Sequence, residues 1–271
     1  MVDDNNAKPA GPTPQRARHL AIAELVIKHG SVSMEDIVAH TGVSTMTAYR
    51  DVRALEEAGL LQRHRGQVSA AASGLQEASA SFRIEQEPES KEAMARAVTD
   101  LIPSGSSVVL DDSTSGIYVV RELAKSAPIT VITNSLLVAR EAAQTQDLRL
   151  FLTGGTYEGW ADAVLGPTAT STLHGMDIDF CVLSASGISD GRCFHPYEAV
   201  VAVKKAMMRS ARTKVLLLDH TKLQRKALHA FADLADFDHV IVDPGIDPED
   251  LRRLGEWGAR VTVATPQGPS D

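Results

Sequence analysis

A chain of 271 residues is long for one small module and predicts two domains, while 35 acidic against 27 basic residues give a net charge of −8, which excludes a surface-wide nucleic-acid coat. Two cysteines, Cys181 and Cys193, supply neither a disulfide framework nor a zinc set. No apolar run approaches bilayer length, and Met1 to Pro14 lacks the charged start and apolar core of a secretory signal, so a cytoplasmic protein without a membrane partner is expected.

Residues 1–14 carry Asn, Asp, Pro and Gly with little apolar content and read as a disordered leader. A helix is expected over Arg16 to Lys28, with Leu20, Leu25 and Ile27 among its buried candidates and Gly30 as its end. Ser33 with Asp36 three residues on is a capping-box pattern, so a second helix begins at Met34. Gly42 supplies a tight turn, Ser44 caps a third helix from about Thr45 to Ala58, and Gly59 stops it.

On that third helix Ala48, Val52 and Leu55 share the inward face at i, i+4 and i+7. Met46, Arg50 and Arg53 then point the other way, flanked by Thr45, Thr47 and Tyr49. Two strand candidates bearing Arg63, His64 and Arg65 follow. The order cap, turn, amphipathic helix, stop and basic hairpin is that of a winged helix-turn-helix over residues 15–69. Arginine grips guanine edges bidentately and hydroxyls reach phosphates, so Ser44, Thr45, Met46, Thr47, Tyr49, Arg50, Arg53, Arg63, His64 and Arg65 form the candidate interface with double-stranded operator DNA. Within 15–69 seven basic residues (Arg16, Arg18, Lys28, Arg50, Arg53, Arg63, Arg65) meet six acidic ones (Glu24, Glu35, Asp36, Asp51, Glu56, Glu57), a net +1. The positive charge is local, and affinity needs two copies, so a homodimer or homotetramer is expected.

Residues 70–90, rich in Ala, Ser, Gln and Glu, form a linker that is either a solvated helix or a flexible connection. From Lys91 to residue 265 helices alternate with short β-branched runs, at Ser107–Asp111, Ile129–Thr133, Leu148–Thr153, Asp179–Ser184, Lys214–Leu218, His239–Val242 and Arg260–Val263. The fold class is therefore α/β, a mostly parallel sheet covered on both faces. Ligands of such sheets bind beyond the carboxyl ends of the strands. Those ends carry Asp111-Asp112-Ser113-Thr114-Ser115-Gly116, Thr133-Asn134-Ser135, Thr153-Gly154-Gly155-Thr156, Ser184-Ala185-Ser186-Gly187 and Asp219-His220-Thr221-Lys222. Five such loops of hydroxyls, glycines and one cation suit a small, anionic, hydroxylated ligand. No Walker or G-x-G-x-x-G motif is present, so no nucleotide cofactor is indicated, nor any metal.

These residues carry a family resemblance. Val43, Ser44, Thr47, Arg50, Asp51, Leu55, Gly59 and Arg63 resemble the DNA-binding signature of DeoR-type bacterial transcription regulators, with Tyr49 in place of the first arginine of R-R-D-L, Val52 in place of its leucine, and the single Gly66 where the wing has a glycine pair. Leu110, Asp111, Thr114 and Ser115 are similar to the family's L-D-x-G-T-T loop, with Ser113 at the glycine. Thr133-Asn134-Ser135, Gly154-Gly155, Asp179 with Ser186-Gly187-Ile188, Glu198, Lys204 and Lys222 match further family positions. The resemblance spans roughly Arg16 to Asp243 and implies a sensor domain similar to ribose-5-phosphate isomerases and CoA transferases, binding a phosphorylated sugar or related metabolite. Asp111, Ser113, Thr114, Ser115, Asn134, Gly154, Gly155, Thr156, Asp179, Ser186, Gly187, Glu198 and Lys222 are the effector-site candidates. Arg192, Phe194, His195 and Tyr197 fall outside the family pattern and are expected to set which sugar is recognised.

The expected function is thus a transcription regulator, a repressor of carbohydrate-metabolism genes, released by a phosphorylated sugar. The rival is a sugar-phosphate isomerase with an accessory DNA-binding head, for which Asp111, Asp179 or Glu198 stands as the base. No acid–base pair is evident from their spacing, and an isomerase-like fold does not establish turnover.

Overall fold

The computed structural model describes residues 14–29, 31–57, 60–64, 66–70, 77, 80–84, 86–225 and 227–265. Gly30, Gly59, Arg65 and the leader up to residue 13 lie outside them. The chain divides into two compact units, with the boundary after Ala72.

The first unit runs α1 (Pro14–His29), β1 (Ser31–Ser33), α2 (Met34–Thr41), α3 (Thr45–Glu57), β2 (Leu61–His64) and β3 (Gln67–Ala70), with the strands antiparallel in the order β1-β3-β2. The capping box forms: Asp36 N donates to Ser33 Oγ at 3.1 Å and Ser33 N donates back to Asp36 Oδ2 at 2.9 Å. Gly42 takes the left-handed conformation, φ 69°, that ends α2 and opens the turn. Ala48, Val52 and Leu55 of α3 are buried with Ile37 and Met34 of α2, Val32, Leu61 and Val68 of the strands, and Ile22 and Val26 of α1. On α1 the buried stripe runs through Ile22 and Val26, while Leu25 is half-buried.

The second unit continues through α4 (Ala80–Arg83), α5 (Pro88–Thr99), β4 (Ser107–Leu110), α6 (Ser115–Leu123), β5 (Ile129–Thr133), α7 (Leu136–Ala143) and β6 (Leu148–Leu152). It then runs β7 (Thr156–Glu158), β8 (Ala163–Leu165), α8 (Pro167–His174), β9 (Ile178–Ser184), β10 (Gly187–Ser189), β11 (Arg192–His195), α9 (Glu198–Ser210) and β12 (Ala211–Leu218). The last elements are β13 (His229–Asp233), β14 (His239–Val242), α10 (Pro248–Glu256) and β15 (Val261–Val263).

Seven strands form one parallel sheet in the order β15-β14-β12-β9-β4-β5-β6. Alternate side chains of the same strands feed two cores: Val109, Cys181, Leu183, Leu216 and Val240 pack with α8 and α9, whereas Val108, Leu110, Val182, Val215 and Ile241 pack with α5, α6 and α7. Continuous apolar runs are the signature of strands covered on both faces. The hairpin β7-β8 and the antiparallel sheet β10-β11-β13 are additions that the alternation of helices and strands did not announce. No helix among the described residues is long and apolar enough to cross a membrane.

The strand order fixes where a ligand belongs. From β4 the chain steps outward to β5 and β6, then crosses to β9 on the other side of β4 and proceeds outward again. The loops leaving β4 and β9 therefore diverge from adjacent strands, which is the topological switch point of an open parallel sheet.

Candidate functional site

In the first unit, α3 presents Met46 at 72% and Tyr49 at 43% exposure, with Thr45, Arg50 and Arg53 also exposed. Ser44 caps α3 by accepting from Thr47 N at 3.2 Å, and its hydroxyl meets Thr47 Oγ1 at 2.9 Å, so these two hydroxyls shape the helix start. Arg53 pairs with Glu57 at 2.9 Å, whereas Arg50 makes no ion pair among the described residues.

On the wing, Arg63 stacks its guanidinium 5.4 Å from the Tyr49 ring centre, and its backbone N donates to Glu56 Oε1 at 2.9 Å. Tyr49, the departure from the arginine pair, thus ties the reading helix to the wing. The strand β2 includes His64, of whose side chain nothing is described, and Arg65 is not among the described residues. Asp51 was read only as a motif match. It is buried at 1% exposure, where Arg18 Nε donates to it at 2.9 Å and His19 Nε2 lies 3.1 Å away. Removing Arg18 takes the guanidinium from a buried carboxylate, so α1 and α3 are held together by charge as well as by packing.

In the second unit the switch point is built around a residue absent from the expected site. Lys204 of α9 is 1% exposed, and its ammonium donates to the Asp111 carboxylate at the end of β4 and, at 3.0 Å, to the carbonyl of Ser184 at the end of β9. Asp112 lies 4.0 Å from the same ammonium. Asp111 also accepts from Ser184 N at 2.8 Å and Ser113 N at 3.0 Å. Burial pushes its carboxyl up, but the Lys204 charge and these hydrogen bonds outweigh burial and hold it below the usual carboxylate range. Lys204 is likewise held above the usual ammonium value by Asp111 and Asp112 against the effect of burial.

Beside this pair lies a second charged group. Glu77, in the stretch read as linker, is 8% exposed and accepts from the Ser186 hydroxyl after β9. Its Oε1 is 3.8 Å from Arg83 Nε and 4.0 Å from Lys222 Nζ. Burial opposes its ionisation, yet Lys222, Arg83 and His195 together hold its pKa down to about 2. Lys91, 6% exposed, donates to the Arg83 carbonyl and has its pKa lowered to about 8, by burial first and by the neighbouring charges of Lys222 and Arg83. The turn carrying Lys222 is fixed by Asp219, which accepts from Thr221 N at 3.1 Å, and by Asp243 after β14, which accepts from His220 N at 2.7 Å.

His195 lies within electrostatic reach of both groups and clusters with the rings of Trp160 and Tyr197. Trp160 and Tyr197 rings are 4.4 Å apart, and His195 and Tyr197 5.9 Å apart. Tyr197 N donates to His195 Nδ1 at 3.2 Å, which leaves the ring proton of the neutral imidazole on Nε2. Burial lowers the His195 pKa to about 4 against the pull of Asp112, so the ring is neutral near pH 7. Arg192 instead lies over Phe194 on β11 and is 3.7 Å from Asp233, which makes it part of the small antiparallel sheet.

The structure brings together Asp111, Ser113, Thr114, Ser115, Ser186, Gly187 and Lys222 around the switch point, and separates others. Asp179 is a correction: it begins β9, where its carboxylate accepts from Ser107 N at 2.9 Å at the amino edge of the sheet, about 17 Å along the strand from Ser184. Glu198 is exposed at the start of α9, where an acidic residue complements the helix dipole. Gly154, Gly155 and Thr156 follow the edge strand β6, two strands from β4 and thus about 10 Å away. The bareness of Gly155 serves packing, since a Cβ there would meet the Leu165 carbonyl oxygen at 2.5 Å. In the turn after β5, Thr133 donates to Leu110 O at 2.8 Å, Ser135 caps α7, and Asn134 donates to Val164 O at 3.2 Å. Asn134 Oδ1 remains a buried acceptor without a donor among the described residues. Ser113 has no positive φ, so a side chain in the glycine position costs no backbone strain.

Reasoning from sequence did not single out as candidates Lys204, Glu77, Arg83 and Lys91, which the structure gathers beside the candidate loops. Lys204 had a signal: it shares the apolar face of α9 with Val200 and Met207, at i−4 and i+3. A lysine in such a stripe needs a buried partner.

Both units match known domains: residues 18–73 the DeoR-like helix-turn-helix domain, and residues 86–244 the DeoR C-terminal sensor domain. The glycerol-3-phosphate regulon repressor of Escherichia coli (strain K12) is 32% identical over 230 residues, covering 84% of this chain and 91% of that protein. The HTH-type transcriptional repressor CsqR of the same strain is 32% identical over 252 residues, covering 92% and 95%. A solved ribose 5-phosphate isomerase from Methanocaldococcus jannaschii overlaps 52% of this chain and 56% of its own at 18% identity, with a TM-score of 0.38. An exposed arginine-bearing reading helix with its wing, a charged cluster at the switch point of a parallel sheet, and domain matches across both units make this chain a member of the DeoR family of DNA-binding transcription regulators.

Proposed function

We propose that this regulator is a repressor of carbohydrate-metabolism genes whose operator affinity falls when a phosphorylated sugar or related polyol phosphate occupies the switch point. The observation that carries the reading is the convergence of Lys222, Arg83 and Lys91 beside the Asp111 loop and the start of α6, at the strand ends where parallel sheets take their ligands. The cations and the serine hydroxyls answer the phosphate. Asp112, the Asn134 carbonyl and the faces of Trp160 and Tyr197 answer a hydroxylated carbon skeleton, and His195 and Tyr197 tune which one. The family relatives named repressors support the sign of the response. Operator reading places the work in the cytoplasm. With a net +1 on one reading head, specific binding calls for a homodimer or homotetramer that offers paired heads.

The isomerase reading is not favoured by the geometry. Asp111 is saturated by Lys204 and two backbone donors, Asp179 is at the opposite edge, and Glu198 is on the surface. None is poised as a base beside a second acid.

The test is a mobility-shift titration of DNA from the chain's own promoter region at low salt, repeated with glycerol 3-phosphate and a panel of aldose and ketose phosphates. Retardation that one phosphate reverses is expected. No retardation, or retardation indifferent to every phosphate while one of them is isomerised, overturns the reading.

A further inference from the structure

Glu77 is the unexplained guest of this site. A carboxylate that is 8% exposed is costly to bury unless its partners compensate, and its partners are the residues a phosphate would use: the Ser186 hydroxyl, Arg83 and Lys222. The fit is incomplete in an informative way. One oxygen is shared between two cations at 3.8 and 4.0 Å, so neither closes to hydrogen-bond distance. A phosphoryl group, with three acceptor oxygens and a charge of about −1.5 to −2, can satisfy the hydroxyl and both cations at once.

The subsite itself is preformed. A Cβ on Gly187 would fall 2.2 Å from the Arg225 carbonyl oxygen, so the Ser186–Gly187 turn and the turn that carries Lys222 are locked backbone to backbone. Glu77, in contrast, comes from the stretch between β3 and α4 and belongs to no strand-end loop.

Building on the phosphate-effector reading above, we propose that Ser186, Arg83 and Lys222 form the effector's anion subsite and that the Glu77 carboxylate is its resident surrogate, displaced when a phosphorylated ligand enters. Displacement acts on the chain segment that leads from the reading head to the sensor. Occupancy is thereby reported along the backbone.

The experiment uses the full chain and inorganic phosphate as the probe, with binding read by calorimetry. Glu77→Gln removes the competing charge and leaves the cations, so it is expected to bind phosphate about tenfold more tightly than the unaltered chain. Lys222→Met is expected to lose binding. In the unaltered chain, saturating phosphate is expected to speed amide hydrogen exchange at the peptide containing Glu77 and to slow it at the peptide containing Ser186. This measurement decides the matter alone if Glu77→Gln fails to fold. Equal or weaker phosphate binding by Glu77→Gln, or slowed exchange at Glu77, overturns the surrogate while leaving the effector reading intact. Absence of phosphate binding in every variant overturns both.

Discussion

The reading head and the sensor edge both rest on arginines and lysines, yet they use them in opposite ways. On α3, Arg50 and Arg53 are exposed and contiguous in sequence with the helix that aims them. At the switch point Lys204 is 1% exposed and pairs with Asp111, and the group beside it gathers Glu77, Arg83, Lys91, Ser186 and Lys222. Water screens the first set, in which the one ion pair among the described residues, Arg53 with Glu57, is an exposed pair within the helix. The second set is part of the interior, where each charge is tolerable only because another is there. Function and stability are therefore separable in the head and joined in the sensor.

The largest break in that contrast comes from Lys204→Met, which leaves Asp111 buried without its cation. A loss of about 3–5 kcal/mol is expected, read as an earlier urea transition of the sensor unit. A loss under about 1 kcal/mol would mean that the charge is not holding the switch point together. Arg50→Ala is the counterpart in the head. Operator affinity is expected to fall by about 1–3 kcal/mol, or roughly five- to 150-fold, while the urea transition stays within about 0.5 kcal/mol of the unaltered chain. Operator affinity that did not change would remove Arg50 from the interface. The smallest effect belongs to Tyr49→Ala, which takes away the ring under Arg63. About 0.5–1 kcal/mol of head stability is expected to go with it, seen as a lower melting point of the first unit. No change would mean that the wing is held by Glu56 and strand pairing alone.

The same contrast explains what the sequence made legible. The head is encoded locally: Ser33 with Asp36, Gly42, Ser44 and the spacing Ala48–Val52–Leu55 each act within a few residues, and each is where the pattern puts it. The parallel sheet was legible for a related reason, since strands buried on both faces must be apolar runs. The sensor cluster depends on which loops the strand order makes adjacent, and no local rule supplies that order. Glu77 looked like a solvated linker charge because its partner Ser186 is 109 residues away. Asp179 was placed at the wrong edge because a motif position does not say at which end of its strand a residue falls. Gly155 suggested a backbone opened to a ligand, whereas the neighbour that forbids a side chain is Leu165.

The Asp51 carboxylate, clasped by Arg18 and His19, has a consequence for signalling. It fastens the recognition helix to the first helix of its own module, so tilting one without the other leaves a buried carboxylate without its partners. The module consequently travels as a single stiff tool. Under the function proposed above, a ligand of the sensor would have to act on the module as a whole, since bending it would cost more than the few kilocalories that allosteric coupling commonly supplies.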